Sequence, residues 1–227
     1  MSHGIDVWLE RLDLSPESLA HAEAIVDDAE RERAGRFRFP RDAQRFLAGR
    51  ALLRSILGFS LEREPASIAF TYGQAGKPSV PNDRGVTFNA ANSQDLVLVA
   101  VTRDVQIGVD LEHVRPVPER DLIVAQWFRE DEKRVWNDLA EEQRNLAFFR
   151  WFVAKEAYLK AKGSGLGGPL TDIAIDFRDG HPLAIRGTKE WRIEQLDAPE
   201  GCVAAICVER GPTPSPIVWR SGRPARN

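Results

Sequence analysis

Ile107-Gly108-Val109-Asp110-Leu111-Glu112 and Phe152-Val153-Ala154-Lys155-Glu156-Ala157-Tyr158-Leu159-Lys160 are the two most patterned stretches of the chain. In the first, Val105, Ile107, Val109 and Leu111 recur at every second position, which predicts a β-strand. Alternation sets Asp110 and Glu112 on one face and Val109 and Leu111 on the other. The second stretch carries Phe149, Phe152 and Leu159 at helical steps, with Glu156 at the centre of that apolar stripe. A carboxylate facing a core is costly unless something pairs with it. Three carboxylates meeting from a strand and a helix are a suitable oxygen donor set for a divalent cation. Two plainer readings stand beside this one. Asp-x-Glu on a strand is commonly a solvated face, and Glu156 could pair with Lys160 one turn later.

Composition narrows the class. The chain has 227 residues, 43% of them hydrophobic and 29% charged, as in an ordinary globular protein. This is enough for one large domain or two small ones. No apolar run reaches the ~20 residues of a membrane span. The N-terminal residues 1–11 lack signal-peptide character, because Asp6, Glu10 and Arg11 interrupt them. Cys202 and Cys207 fall at odd spacing in one expected strand, on opposite faces, so a mutual disulfide is not expected and a reducing cytoplasm is. A net charge of −3 gives no general field for nucleic acid. Residues 31–54 nevertheless hold eight arginines against Glu32 and Asp42. That run is either a solvated helix face or an anion site, for which the guanidinium fork is suited.

Along the chain, strands are expected at residues 4–12, 66–72 and 86–89, and a hairpin joining 95–102 to 105–112 across Arg103-Asp104. Helices are expected to start at Ser15-Pro16-Glu17 and to run over 41–57, 122–127, 130–139 and 142–162, the last stopped by the glycine run 163–168. Strands return at 173–177, 183–186, 191–196 and 203–208. The halves echo one another: Ala51-Leu52-Leu53-Arg54 with Ala157-Tyr158-Leu159-Lys160, Ile68-Ala69-Phe70 with Ile173-Ala174-Ile175, Gly76-Lys77-Pro78 with Gly180-His181-Pro182. Shared order and spacing point to a duplicated helix-plus-sheet unit. The expected division is residues 1–103, residues 104–210 and an extended tail, 211–227.

These motifs resemble the 4'-phosphopantetheinyl transferases of the surfactin-synthetase-activating type, which carry G-[IV]-D-[IVL]-E followed by a W-x-x-K-E-A-x-x-K helix. Phe152 stands at the tryptophan position, with Trp151 beside it. Gly76-Lys77-Pro78 resembles the family's G-K-P turn, and Phe88-Asn89-Ala90-Ala91-Asn92-Ser93 its F-N-x-S-H-S segment. Arg36, Phe37, Asp42 and Arg45 follow its R-F-x-x-x-x-D-x-x-R pattern, and Gly163-Ser164-Gly165-Leu166 its G-x-G-L. The resemblance spans residues 30–210. It implies an α+β, pseudo-twofold duplicated fold, each half a helix packed on a small antiparallel sheet, with the substrate site between the halves.

The resemblance implies transfer of the 4'-phosphopantetheine arm of coenzyme A to a serine of an acyl or peptidyl carrier protein by a cytoplasmic monomer, with magnesium required and 3',5'-ADP released. Fatty acid, polyketide and nonribosomal peptide synthesis all use such carriers. Asp110, Glu112 and Glu156 would hold the metal, with Glu132 reaching it through water; an exposed helix acid is the plainer reading of Glu132. Glu156 would also serve as general base, and Lys160 would stabilise charge on the bridging or leaving oxygen. Arg33 and Arg45 would meet the 3'-phosphate and adenine end, Lys77 the adenine or phosphates, and Asn92 and Ser93 the diphosphate. Lys155, on a neighbouring face, is carried over as a coenzyme contact. Glu30 stands where the family often has another basic residue, which weakens the case for tight 3'-phosphate binding. Asn92 replaces the family histidine and Ala91 its first serine; none of the four histidines (His3, His21, His113, His181) takes that sequence position. Two alternatives follow from the same residues: a coenzyme A-binding regulatory protein with weak transfer, and a magnesium-dependent hydrolase of the coenzyme A diphosphate.

Overall fold

A computed structural model describes residues 4–73, 76–81, 84–164, 170–178, 181–211 and 215–222, the side chain of Leu183 apart. Gly165 and Leu166 of the G-x-G-L segment and Gly180 of the internal echo lie outside the described residues. In chain order the elements are β1 (Ile5–Arg11), α1 (Pro16–Ile25), α2 (Asp28–Ala34), α3 (Pro40–Leu61), β2 (Thr71–Tyr72), β3 (Pro78–Ser79), β4 (Val86–Ser93) and β5 (Leu96–Arg103). Then follow β6 (Ile107–His113), α4 (Arg120–Trp127), α5 (Glu130–Asp138), α6 (Glu141–Lys162), β7 (Ile175–Arg178), β8 (His181–Ile185), β9 (Trp191–Leu196), β10 (Cys202–Glu209) and β11 (Ile217–Arg220).

The order strand, three helices, four strands occurs twice. The pairing repeats with it: β1-β5-β4 in the first half, β6-β10-β9 in the second, all antiparallel. Even the register agrees, since Trp8 stands opposite Val99 and Asp110 opposite Ala205, each fourth in its strand. Both α3 and α6 are 22 residues long and end on a residue in the left-handed region, Glu62 and Gly163. The duplicated α+β fold is therefore present in both sequence order and hydrogen bonding.

The two sheets stack face to face. Ile5, Val7, Leu98 and Ala100 of one meet Val109, Leu111, Ala204 and Ile206 of the other. The long helices cover the outer faces: α3 lies over Trp8, Val97, Val99 and Val101, and α6 over Val203, Ala205 and Cys207. Cys202 and Cys207 indeed lie on opposite faces, both as free thiols. Burial raises the Cys207 thiol to about 12, which leaves it protonated and unreactive at neutral pH.

Each long helix is anchored by one buried ion pair. Glu30, third residue of α2, accepts from the fully buried Arg54 at 2.7 Å and from Asp27 N at 3.1 Å. Glu132, third residue of α5, accepts from the fully buried Lys155 at 2.6 Å and from Arg129 N at 3.0 Å. Arg54 and Lys155 hold the same position in their helices, so the true structural echo of Arg54 is Lys155, not Lys160.

Three expectations are corrected here. No hairpin joins β5 to β6: β5 pairs with β1 and β4, and β6 with β10, so residues 104–106 carry the chain from one sheet to the other. The tail is more than extended, because Ile217–Arg220 adds to β1 as a parallel edge strand. The stretch 66–72 begins in a short 3-10 turn, Pro65–Ser67, runs through 68–70 without regular structure, and has only Thr71–Tyr72 in a strand.

Gly108 sets the closeness of α6 to β6. A Cβ there would stand 2.1 Å from the Ala157 carbonyl oxygen and 2.3 Å from the Ala161 nitrogen, both backbone atoms that cannot rotate away. Gly108→Ala should therefore destabilise by about 3 kcal/mol or more, at or beyond the usual range for overpacking. Gly49→Ala in α3, whose Cβ meets only the Leu12 side chain at 3.5 Å, is the control and should be neutral or stabilising. Urea midpoints of both variants check this; equal midpoints would refute the close-approach account. Lys155→Met alone should cost roughly 3–5 kcal/mol by stranding Glu132, and Glu132→Leu added to it should restore part of that loss. A double variant no more stable than the single one would contradict a pair held by mutual neutralisation.

Candidate functional site at the seam between the halves

β4 of the first half runs beside β6 of the second, and side chains join them where no backbone ladder does. Asn89 Oδ1 accepts from Val109 N at 2.9 Å, and Ser93 Oγ accepts from His113 N at 3.1 Å. Ser93 also donates to Glu112 Oε2 at 3.1 Å. Lys77, after β2, reaches across to the Ile107 carbonyl at 3.0 Å and the Ala161 carbonyl at 3.4 Å. Burial lowers its ammonium to about 8. The F-N segment and the G-K-P turn thus stitch the two halves together.

The acids converge on this seam. Alternation along β6 aims Asp110 at α6, and the close approach at Gly108 brings Glu156 and Lys160 to it. Asp110 is 6% exposed and Glu156 5%, so neither is the solvated acid of the plainer reading. Lys160 Nζ donates to Asp110 Oδ1 at 2.6 Å. Asp110 Oδ2 is buried with no hydrogen-bond partner. Burial raises the Asp110 carboxyl, and Lys160 only partly opposes it. Glu156 is raised to about 7, first by burial and then by the charges of Asp110 and Glu112, with Lys160 acting the other way. Glu112 lies toward the rim, bonded to Ser93 and at 3.1 Å to Arg115. The donor set suits a hard cation: oxygen ligands, surplus negative charge and one buried oxygen without a partner. Among the described residues no three His, Cys, Asp or Glu side chains are arranged to hold a metal ion together, and Lys160 takes up one Asp110 oxygen.

Other expected site residues lie elsewhere. Glu132 and Lys155 bond to each other, and Lys155 also donates to the Leu170 carbonyl at 3.0 Å, so neither reaches the acid cluster. Lys155 is wholly buried, and its ammonium faces the Glu132 carboxylate and not the Asp110–Glu156 cluster. Arg33 is exposed over the Phe46 ring at 4.9 Å. Arg45 forms a two-point bond to Asp13, 2.7 and 2.9 Å. Glu30 is engaged by Arg50 and Arg54, so it does not stand as a bare charge against an incoming phosphate. Asn92 is exposed at the end of β4, beside the buried Ser93.

Sequence reading missed His113 as a neighbour of this site. Its Nδ1 lies 3.2 Å from Ser93 Oγ and its Nε2 3.7 Å from Asp95. Contact between β4 and β6 creates that neighbourhood, and no spacing in the chain announces it.

The family model described as "4'-phosphopantetheinyl transferase superfamily" matches residues 106–207. The one described as "4'-phosphopantetheinyl transferase, N-terminal" matches residues 13–104. The 4'-phosphopantetheinyl transferase HetI of Nostoc sp. is 36% identical over 92% of this chain and 89% of its own length. The 4'-phosphopantetheinyl transferase Sfp of Bacillus subtilis is 26% identical over 95% of this chain and 96% of its own. A solved holo-(acyl-carrier-protein) synthase from Bacillus anthracis, in complex with CoA (3',5'-ADP), overlaps 46% of this chain and 95% of that one at TM-score 0.40 and 25% identity.

The raised Glu156 makes stability depend on pH. Its folded value of about 7 exceeds the ordinary 4.5, so its contribution is complete below 4.5 and is lost as pH rises through 7. Glu156→Gln should match the parent near pH 4.5 and exceed it by ~3 kcal/mol at pH 8, in metal-free buffer. Thermal melts across that range test this. A difference in melting temperature that does not grow with pH would show that Glu156 is not held protonated.

Proposed function

The chain belongs to the 4'-phosphopantetheinyl transferase superfamily, and from that premise we propose that it moves the phosphopantetheine arm of coenzyme A to a carrier-protein serine in a magnesium-dependent step that releases 3',5'-ADP. One observation carries this reading: Asp110, Glu156 and Lys160 lie together at the seam with Glu112 at its rim, a buried Asp110 oxygen is unpartnered and Glu156 is raised to about 7. Magnesium held by Asp110, Glu112 and Glu156 would neutralise the diphosphate and polarise the attacked phosphorus.

The remaining steps fall to the chain's own residues. Glu156, near 7, is poised to accept the serine proton at working pH. The serine oxygen then bonds to the phosphorus bearing the pantetheine arm, and the bond from that phosphorus to the bridging oxygen breaks. Lys160, beside Asp110, is placed to donate to the departing oxygen, which leaves as the 5'-phosphate of 3',5'-ADP. Ser93, Asn92 and Lys77 line the approach to the diphosphate, and Arg33 and Arg45 lie toward the 3'-phosphate and adenine. The expected setting is the cytoplasm, which suits two free thiols. Among the described residues no helix is long and apolar enough to cross a membrane. The acyl or peptidyl carrier protein is the expected partner, met by a monomer.

Asp110→Asn keeps the buried shape and removes the charge. Mixed with apo carrier protein, coenzyme A and magnesium, the parent should add the phosphopantetheine mass to the carrier. The variant should do so at least ~10²-fold more slowly, the usual loss for a central group. Mass spectrometry of the carrier reads the result. Consumption of coenzyme A without a mass gain would establish the hydrolase reading, and neither change would establish the binding protein.

A further inference from the structure

We propose that the Asp13 carboxylate occupies, in the ligand-free chain, the seat between Arg41 and Arg45 that a ligand's phosphate monoester takes, and so acts as a built-in competitor for it. The inference rests on the reading above that Arg45 faces the 3'-phosphate, and adds a regulator of that contact.

Asp13 follows β1 in the loop before α1. Its Oδ1 accepts from Arg45 Nε at 2.7 Å, and its Oδ2 from Arg45 Nη2 at 2.9 Å and from Arg41 Nη2 at 3.3 Å. The Arg45 side chain is 13% exposed and Asp13 38%, so the guanidinium is fixed by its packing while the carboxylate is reachable. A cavity of about 230 Å³ opens at this point, lined by Leu12, Asp13, Leu14, Leu19, Arg41 and Gln44. Two parallel N–H bonds to a pair of oxygens are also how arginine grips a phosphate.

The hydrogen bond from Arg45 holds Asp13 at about 2, so the carboxylate is ionised at neutral pH. A phosphate dianion carries more charge than a carboxylate and can displace it, while a ligand without that phosphate has nothing to displace it with. The apparent dissociation constant of the phosphate-bearing ligand is its intrinsic value divided by the fraction of time the seat is open. Asp13 would thus loosen the hold on 3',5'-ADP, which has to leave after each transfer.

Calorimetry with 3',5'-ADP and with AMP tests this, since they differ only in the 3'-phosphate. Asp13→Asn should bind 3',5'-ADP roughly 3- to 10-fold more tightly, for a seat open between about a third and a tenth of the time, and AMP unchanged. Weaker or equal binding of both ligands with a lower melting temperature would make Asp13 a structural staple and overturn the proposal. A crystal structure of the unmutated chain with 3',5'-ADP is independent of variant folding: Asp13 should be off Arg45, and a persisting two-point bond overturns the idea. Arg45→Ala should abolish the preference for 3',5'-ADP over AMP. If that preference survives, the placement of the 3'-phosphate at Arg45 fails and takes the inference with it. If it is lost while Asp13→Asn changes nothing, the inference alone fails.

Discussion

A buried cation on each long helix, bonded to a glutamate in the first turn of the helix before it, is the constraint on which the rest depends. An ammonium or guanidinium taken out of water must find an anion in the right place, and a misplaced partner costs several kcal/mol. Arg54 with Glu30, and Lys155 with Glu132, therefore fix α3 against α2 and α6 against α5. Each glutamate also closes the first turn of its own helix, so the same carboxylate caps and anchors. With Lys155 held on the α5 side, the next residue around α6 is turned toward β6. The buried pair thereby aims Glu156 at Asp110.

The duplication shows what a catalytic site replaced. Trp8 stands in the first half where Asp110 stands in the second, Ser55 where Glu156 stands and Phe59 where Lys160 stands. Trp8 packs into the apolar layer beneath α3, and Ser55 turns its hydroxyl back to the Ala51 carbonyl at 2.9 Å. One half closes the space between helix and sheet with hydrocarbon. The other keeps charge there and carries the cost, visible as an unpartnered Asp110 oxygen and a glutamate driven to about 7. Stability forgone at such a point is a common mark of function.

Much of this was legible in the chain. Alternation along 105–112 gave the right face to Asp110 and Glu112, and the stripe on α6 gave Glu156 its buried place. Both are local patterns, set by the period of one element. What depended on partners was not legible. Two alternating strands with a short polar link read as a hairpin whether they pair or part, and only β1, β4 and β10 decide that β5 and β6 part. Lys155 looked like a ligand contact because its acid lies on another helix. The arginine run read as either a solvated face or an anion site, yet Arg41, Arg45, Arg50 and Arg54 go to Asp13, Glu30 and Asp27. Among the described residues Arg33 and Arg38 lie over aromatic rings and have no carboxylate partner.

The parallel strand β11 places a condition on how the molecule is made. It hydrogen-bonds along β1, Ile5 to Ile217 through Trp8 to Arg220, although the whole second half separates them in sequence. On the ribosome the first half can gather its helices and three antiparallel strands early, but its outer edge has no cover until β11 emerges. Through that interval β1 presents an unpaired row of backbone donors and acceptors, the kind of edge that recruits wrong partners. The order of synthesis therefore leaves the first sheet open while the acid-bearing half is assembled, and the last strand to appear closes the first.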